Sequence, residues 1–466
     1  MTAAPWLASS SPRMSPAPTD DDVSAVLGEL LGGEVADLRR LSGGASRQTW
    51  SFDLVANGGR RPLILQLERP GGVRTGAGMV LEAALLRAAA AAGAPVAAVV
   101  GSGADDGFGA PWLVVGRVAG ETIPRKLLRD SQFAAARERL PAQCGRALAA
   151  IHSIPIEAVP GLGDPDQLAQ FRSILSAMGE PRPALELGLR QLEATRPERQ
   201  RRTIVHGDFR TGNLVVGPDG LRTVLDWELA HVGDPVEDLG WFCLRAWRFG
   251  SAAPAGGFGP VEDLVVAYED ASGVGVDPSV VRWWEAMGTL KWGVMCLIQA
   301  GTHLSGLSRS VELAAIGRRV CENEWDLLGL LGAPLPVESP PTVPAPSEPA
   351  PAPPFGRPTA VELVEAVREF VEEDVMSATE GPLRFHARVA ANALAVVQRE
   401  QAMGPGLTAA HVARVAALGF RDDADLAEAI RAGRCDDRGD EVAAAVALSV
   451  RDQLLVANPR HLEPDQ

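Results

Sequence analysis

One stretch constrains this chain more than any other: Val205-His-Gly-Asp-Phe-Arg-Thr-Gly-Asn-Leu-Val-Val216. Residues 121–331 otherwise read as mainly helical, and this stretch opens the single interruption, over residues 204–226. His206 to Asn213 is made of turn-forming and polar residues and reads as a loop. Leu214-Val-Val216 and Thr223-Val-Leu225 read as two short strands around a turn between Gly217 and Gly220. Asp226 follows the second strand directly. Any one of Asp208, Asn213 and Asp226 could merely cap a turn. All three at this spacing, on a loop, a strand entry and a hairpin end, are not explained by turn chemistry alone.

Upstream, residues 38–118 carry mostly strand and turn signals. Leu41-Ser-Gly-Gly-Ala-Ser46 is a glycine turn between apolar segments, and Leu63-Ile-Leu-Gln-Leu67 is a short apolar strand. An Ala-rich helix is expected over about residues 79–92, and a glycine-containing turn then leads into the strand Trp112-Leu-Val-Val115. Asp20, Asp21 and Asp22 sit where acidic residues favour the start of a short helix reaching about Leu31. Residues 1–19 are rich in Ser, Pro and Ala and read as a disordered leader without the pattern of a signal peptide. Residues 334–358 carry Pro at every second or third position, which predicts a semi-extended linker. Beyond it, Val361, Leu363, Val364, Val367, Phe370 and Val371 recur at helical spacing. The division expected is therefore a leader over 1–19, an N-terminal strand-rich lobe over 20–120, a helical lobe over 121–333, the linker, and a helical accessory domain over 359–460.

The spacing of Asp208 and Asn213, with Asp226 one hairpin later, matches a phosphoryl-transfer centre. In that chemistry an Asp accepts the proton of the acceptor hydroxyl, while an Asn and a second Asp hold Mg²⁺. Such a site has to neutralise phosphate charge and align the acceptor, and carboxylate and amide oxygens suit a hard cation that keeps its waters and phosphates. His-Gly-Asp-x-x-x-x-Asn, then Asp-Trp-Glu and Gly-Asp-Pro-x-x-Asp-Leu, resembles the aminoglycoside phosphotransferase superfamily. The resemblance covers roughly residues 38–331 and is stronger to the branch found beside, or fused to, acyl-CoA dehydrogenases. It implies an α+β, two-lobed protein-kinase-like fold: a small antiparallel-sheet N-lobe and a mainly helical C-lobe, here followed by an all-α domain. It also implies ATP and Mg²⁺, with Asp208 as catalytic base, Asn213 and Asp226 as metal ligands, His206 as a structural loop residue, and Asp234 or Asp238 bracing the loop. Ser42, Gly43, Gly44, Ala45 and Ser46 fall where that family covers the phosphates, and Glu82 is the candidate helix Glu that pairs with the ATP-binding cation. Leu113-Val-Val-Gly-Arg-Val-Ala-Gly120 falls at the linker between lobes.

The chain departs from the family at Gln66, which stands where Lys or Arg is usual. Either Gln66 contacts the phosphates as a neutral donor or Arg69, just beyond the strand, reaches back to them. This departure keeps a nucleotide-binding pseudokinase or scaffold as an alternative to an enzyme. The expected acceptor is a small-molecule hydroxyl, with a hydroxyacyl-CoA-type metabolite suggested by family analogy and an aminoglycoside-type antibiotic as the other enzymatic reading. Arg245, Arg248, Arg282 and Lys291 are candidate cations for an anionic acceptor. The net charge of −15 argues against a nucleic-acid partner. No membrane span is expected, because no run of about 20 residues is apolar and free of charge. Five cysteines without a CxxC pair fit a reducing cytoplasm. The accessory domain is expected to mediate protein association or regulation; its Arg384-Phe-His-Ala-Arg-Val-Ala-Ala-Asn-Ala-Leu394 resembles a helical domain of unknown function attached to such phosphotransferases.

Overall fold

The computed structural model describes residues 19–41, 47–68, 78–199, 201–336 and 356–463. Their contacts form two units, one of residues 19–166 and 197–285, the other of residues 167–196 and 286–463.

The first unit opens with α1 (Asp20–Leu31). The Thr19 hydroxyl accepts from the Asp22 N–H while the Asp22 carboxylate accepts from the Thr19 N–H at 3.0 Å, a reciprocal cap that fixes where the helix starts. Then come β1 (Glu34–Leu41), β2 (Arg47–Ala56), β3 (Gly59–Glu68), α2 (Met79–Ala91), β4 (Val99–Gly103) and β5 (Trp112–Gly116). The strands form one antiparallel sheet in the order β1-β2-β3-β5-β4. β4 is an addition to the order read from sequence. Val99-Val-Gly-Ser-Gly103 has too little β propensity to announce itself, and pairing with β5 makes it a strand.

Alternation along the strands sorts the sheet into two faces. Trp50, Phe52, Leu63, Leu65 and Trp112 pack on one face with Val23 and Leu27 of α1. The register sets Thr49 opposite Gln66 and Gln66 opposite Leu113, so these residues, with Arg47, share the other face. Leu113 on that face packs with Met79 and Ala83 of α2.

After β5 the chain bonds to the hairpin that carries the site. Glu121 and Val216 exchange backbone hydrogen bonds of 2.9 and 3.0 Å. Gly120 permits the approach, since a Cβ there would lie 2.5 Å from the Val215 side chain. α3 (Pro124–Arg129) and α4 (Ala134–His152) follow; the next helices, α5 (Gln167–Met178) and α6 (Pro183–Ala194), belong to the second unit. The first unit resumes with β6 (Thr203–Val205), β7 (Leu214–Gly217), β8 (Gly220–Val224), β9 (His231–Gly233), α7 (Val236–Phe242) and α8 (Val261–Ser272). β6 pairs with β9 and β7 with β8, both antiparallel. Leu140, Leu148, Phe209, Val216, Trp227 and Phe242 belong to the apolar core beneath them.

α9 (Pro278–Leu304) begins in the first unit, and its later turns belong to the second together with α10 (Val311–Gly317) and α11 (Val320–Leu330). Past the Pro-rich stretch lie α12 (Ala360–Phe370), α13 (Met376–Ala378), α14 (Gly381–Ala417), α15 (Asp423–Arg431) and α16 (Gly439–Ala457). The core of the second unit draws on both sides of that stretch. Ala184 of α6 and Cys321 and Leu328 of α11 pack with Val415, Leu426, Ile430, Val450 and Leu454. Arg431 pairs with the buried Glu186, and Arg190 pairs with Asp436. Residues 121–333, read as one lobe, are thus shared between two packing units. Proline density marks where helical periodicity breaks along the sequence, not which helix faces bury one another, and most of the linker read there lies outside the described residues. Among the described residues no helix is long and apolar enough to cross a membrane.

Candidate active site

The loop between β6 and β7 is held by its own backbone. Asp238, fully buried on α7, accepts the N–H of His206 at 2.7 Å and of Gly207 at 2.9 Å, and its Oδ2 lies 3.0 Å from His152 Nε2. Burial alone would raise this carboxyl, but His152 and the His206 N–H outweigh it and hold it at about 2. Asp234 takes a different place, accepting from the Val236 N–H at the start of α7. Gly207 adopts φ +77°, and a Cβ there would sit 2.4 Å from the Leu229 carbonyl oxygen, so only glycine fits. His206 is buried, and burial lowers its pKa, favouring the neutral ring. A ring protonated at Nε2 donates to the Leu225 carbonyl at 3.0 Å and accepts the Asp208 N–H on Nδ1 at 3.2 Å. His206 therefore ties the loop to the residue preceding Asp226.

Asp208 is surrounded by donors. Trp241 Nε1 donates to Oδ1 at 3.0 Å, Asn213 Nδ2 to Oδ2 at 2.7 Å, and Arg210 Nε lies 3.1 and 3.2 Å from the two oxygens. Arg210 also stacks over Trp247 at 4.9 Å, which steadies a guanidinium that is otherwise partly exposed. The carboxylate is thereby fixed in one orientation while its side chain keeps 13% of its exposure.

Asn213 has both amide hydrogens engaged, on the backbone and side-chain oxygens of Asp208 at 2.9 and 2.7 Å. That leaves its Oδ1 as the acceptor. The Asn213 carbonyl accepts the Leu225 N–H at 2.8 Å, which sets Asn213 beside the start of the Asp226 segment. Asp226 adopts φ +65°, a left-handed conformation that Asp tolerates better than most residues, and its side chain is 37% exposed. Among the described residues no cluster of three or more His, Cys, Asp or Glu is grouped to hold a metal by itself. One amide oxygen and one accessible carboxylate fit a hard cation that retains waters and phosphate oxygens, not one that needs a full protein cage.

On the sheet side, Glu82 of α2 is almost completely buried, and burial pushes its carboxyl up, opposed by the Arg47 guanidinium. Arg47 Nη1 donates to Glu82 Oε1 at 3.0 Å, and Nη2 lies 2.7 Å from Oε2. The same guanidinium reaches Gln66 Oε1 at 3.4 Å, Glu228 at 3.2 Å and Asp226 at 3.8 Å.

Glu82, Gln66, His206, Asp208, Asn213, Asp226 and Asp238 thus form one continuous neighbourhood within the first unit. Ser42, Gly43, Gly44, Ala45, Ser46 and Arg69 lie outside the described residues. Of the cations considered for an acceptor, Arg248 is tied to the Cys243 carbonyl at 2.7 Å and to Glu285 at 2.8 Å. Sequence reasoning missed Arg47, Arg210 and the bond from Trp241 to Asp208. Arg210, two residues after Asp208, was open to notice; nothing in spacing points to Trp241, 33 residues away.

A five-stranded antiparallel lobe, a helical lobe and this loop-and-hairpin constellation define a protein-kinase-like fold. Residues 37–284, more than half of the chain, match the phosphotransferase enzyme family, and the chain belongs to that family. Residues 377–461 match a domain of unknown function (DUF6285). The chain is 29% identical over 225 residues to acyl-CoA dehydrogenase family member 10 of Mus musculus, a match covering 45% of this chain and 20% of that protein. It is 32% identical over 110 residues to acyl-CoA dehydrogenase family member 11 of Homo sapiens, covering 22% and 14%. The chain therefore spans a fifth or less of these relatives. Among solved structures, a protein of Ralstonia eutropha assigned as an aminoglycoside phosphotransferase superposes with a TM-score of 0.52 at 20% identity, covering 66% of this chain and 98% of that one. At that identity the likeness concerns the fold.

Proposed function

We propose that the protein transfers the γ-phosphoryl group of ATP to a hydroxyl of a small molecule. The observation that carries this reading is Asp208, oriented by Asn213, Arg210 and Trp241, with the Asn213 carbonyl bonded to Leu225 just before Asp226. The acceptor hydroxyl gives its proton to Asp208 as its oxygen bonds the γ-phosphorus; the bond from that phosphorus to the β–γ bridging oxygen breaks, and ADP leaves. Mg²⁺, held by Asn213 Oδ1 and Asp226, would neutralise phosphate charge when bound. Arg210, beside Asp208, is placed to offset charge on the transferring group.

For the acceptor, we favour a hydroxyacyl-CoA-type metabolite over an aminoglycoside. The partial likeness to two acyl-CoA dehydrogenase family members supports it. The engagement of Arg248 with Glu285 removes one cation from the expected binding set. A cytoplasmic, reducing setting accords with five free, buried cysteines. Leu363, Val367 and Phe370 of α12 stand 50–57% exposed among the described residues, which supports protein association as the role of the accessory helices.

The test is ATP turnover measured across a panel of hydroxylated metabolites, CoA thioesters and aminoglycosides, with Asp208→Ala as control. Loss of a general base predicts a drop of about 10²–10⁴-fold in kcat with nucleotide binding retained. If the protein binds Mg-ATP and no acceptor supports turnover, the pseudokinase reading replaces this one.

A further inference from the structure

We propose that Arg47, on β2, supplies the phosphate-binding cation that the β3 position Gln66 lacks. The inference rests on the ATP-dependent reading above. On an antiparallel pair, residues on one face two positions out of register lie within reach of long side chains. Arg47 and Gln66 stand in that diagonal relation, because Thr49 pairs with Gln66 and Arg47 with Glu68. A guanidinium rooted at Arg47 can therefore occupy the space that a basic side chain rooted at residue 66 would fill.

The contacts place it there. Arg47 makes the ion pair with Glu82 on α2 that a β3 lysine makes in kinases, and Gln66 accepts from it instead of competing for it. Two further carboxylates, Asp226 at 3.8 Å and Glu228 at 3.2 Å, face the same guanidinium. A guanidinium stays charged at every pH a folded protein meets, and the carboxylates facing Arg47 hold it in place, so the cation is permanent. Its position 3.8 Å from Asp226 sets it beside the carboxylate that the proposed function gives to the metal and phosphates. The apparent loss of the cation at Gln66 is then a relocation by one strand.

The experiment compares Arg47→Gln with the double variant Arg47→Gln/Gln66→Arg, which moves the cation back to β3. Affinities for a non-hydrolysable ATP analogue, ADP and adenosine are read by calorimetry, with Tm as the folding control. Arg47→Gln is expected to bind the ATP analogue and ADP about 10- to 100-fold more weakly while adenosine binding stays unchanged, a split that general destabilisation does not produce. The double variant is expected to return to within about threefold of wild type. Should Arg47→Gln fail to fold, the double variant and Arg47→Lys carry the test through the same ATP-to-adenosine comparison. Unchanged ATP affinity in Arg47→Gln, equal weakening for adenosine, or a folded double variant that still binds ATP poorly overturns the relocation. A wild-type protein that binds no Mg-ATP overturns the proposed function itself, and the relocation with it.

Discussion

At the scale of single residues, the loop carrying Asp208 depends on buried groups that hold its backbone. Asp238 is the sharpest case, because one carboxylate satisfies two backbone donors and His152. Asp238→Asn replaces an acceptor by a group with its own hydrogens facing those donors, and should destabilise the fold by about 3–5 kcal/mol. The pH dependence follows from its lowered pKa. The native carboxyl, at about 2, binds its proton less readily than the unfolded one, so its contribution is complete above about pH 4 and is lost as pH falls towards 2. Urea melts of wild type and Asp238→Asn between pH 2 and 7 should therefore converge at the acid end. His206 adds a loss of the same sign at higher pH. Its stabilisation is full above its ordinary value near about 6.5 and declines as pH falls through the lowered one.

At the scale of elements, α7 joins bracing to chemistry. Asp238 on one side of this short helix holds the loop backbone, and Trp241, one turn on, donates to the Asp208 carboxylate. Removing that donor while keeping an aromatic ring tests whether the helix orients the proposed base. Trp241→Phe should lower kcat about 10- to 150-fold, the worth of one hydrogen bond to a charged group, with nucleotide affinity unchanged. A comparable fall in both parameters would mean the indole only packs. The sheet works in the same way: β2 and β3 bring Arg47 and Gln66 to one face, and α2 brings Glu82 against it.

At the scale of the whole molecule, the second unit predicts how the chain tolerates cutting. Helices before and after the Pro-rich stretch share one core and the buried Glu186–Arg431 pair. Ending the chain at residue 336 would uncover Ala184, Cys321 and Leu328 and leave Glu186 unpaired. The truncated protein should show a lower Tm and stronger binding of a hydrophobic dye than the full chain. Equal stability of the two would contradict a shared core.

By itself the sequence determined the loop and hairpin carrying Asp208, Asn213 and Asp226, because local turn chemistry and short β-branched strands encode them within about 20 residues. It also determined α1 and α2, through the acidic triplet Asp20, Asp21 and Asp22 and an Ala-rich run. Only the tertiary structure decided that Arg47 meets Glu82, through strand register and helix packing across 35 residues. The same holds for Trp241, which reaches Asp208 from a helix 33 residues away, and for the core joining α6 and α11 to α15 and α16. Each depends on which faces bury one another, and a linear pattern carries each face without naming its partner.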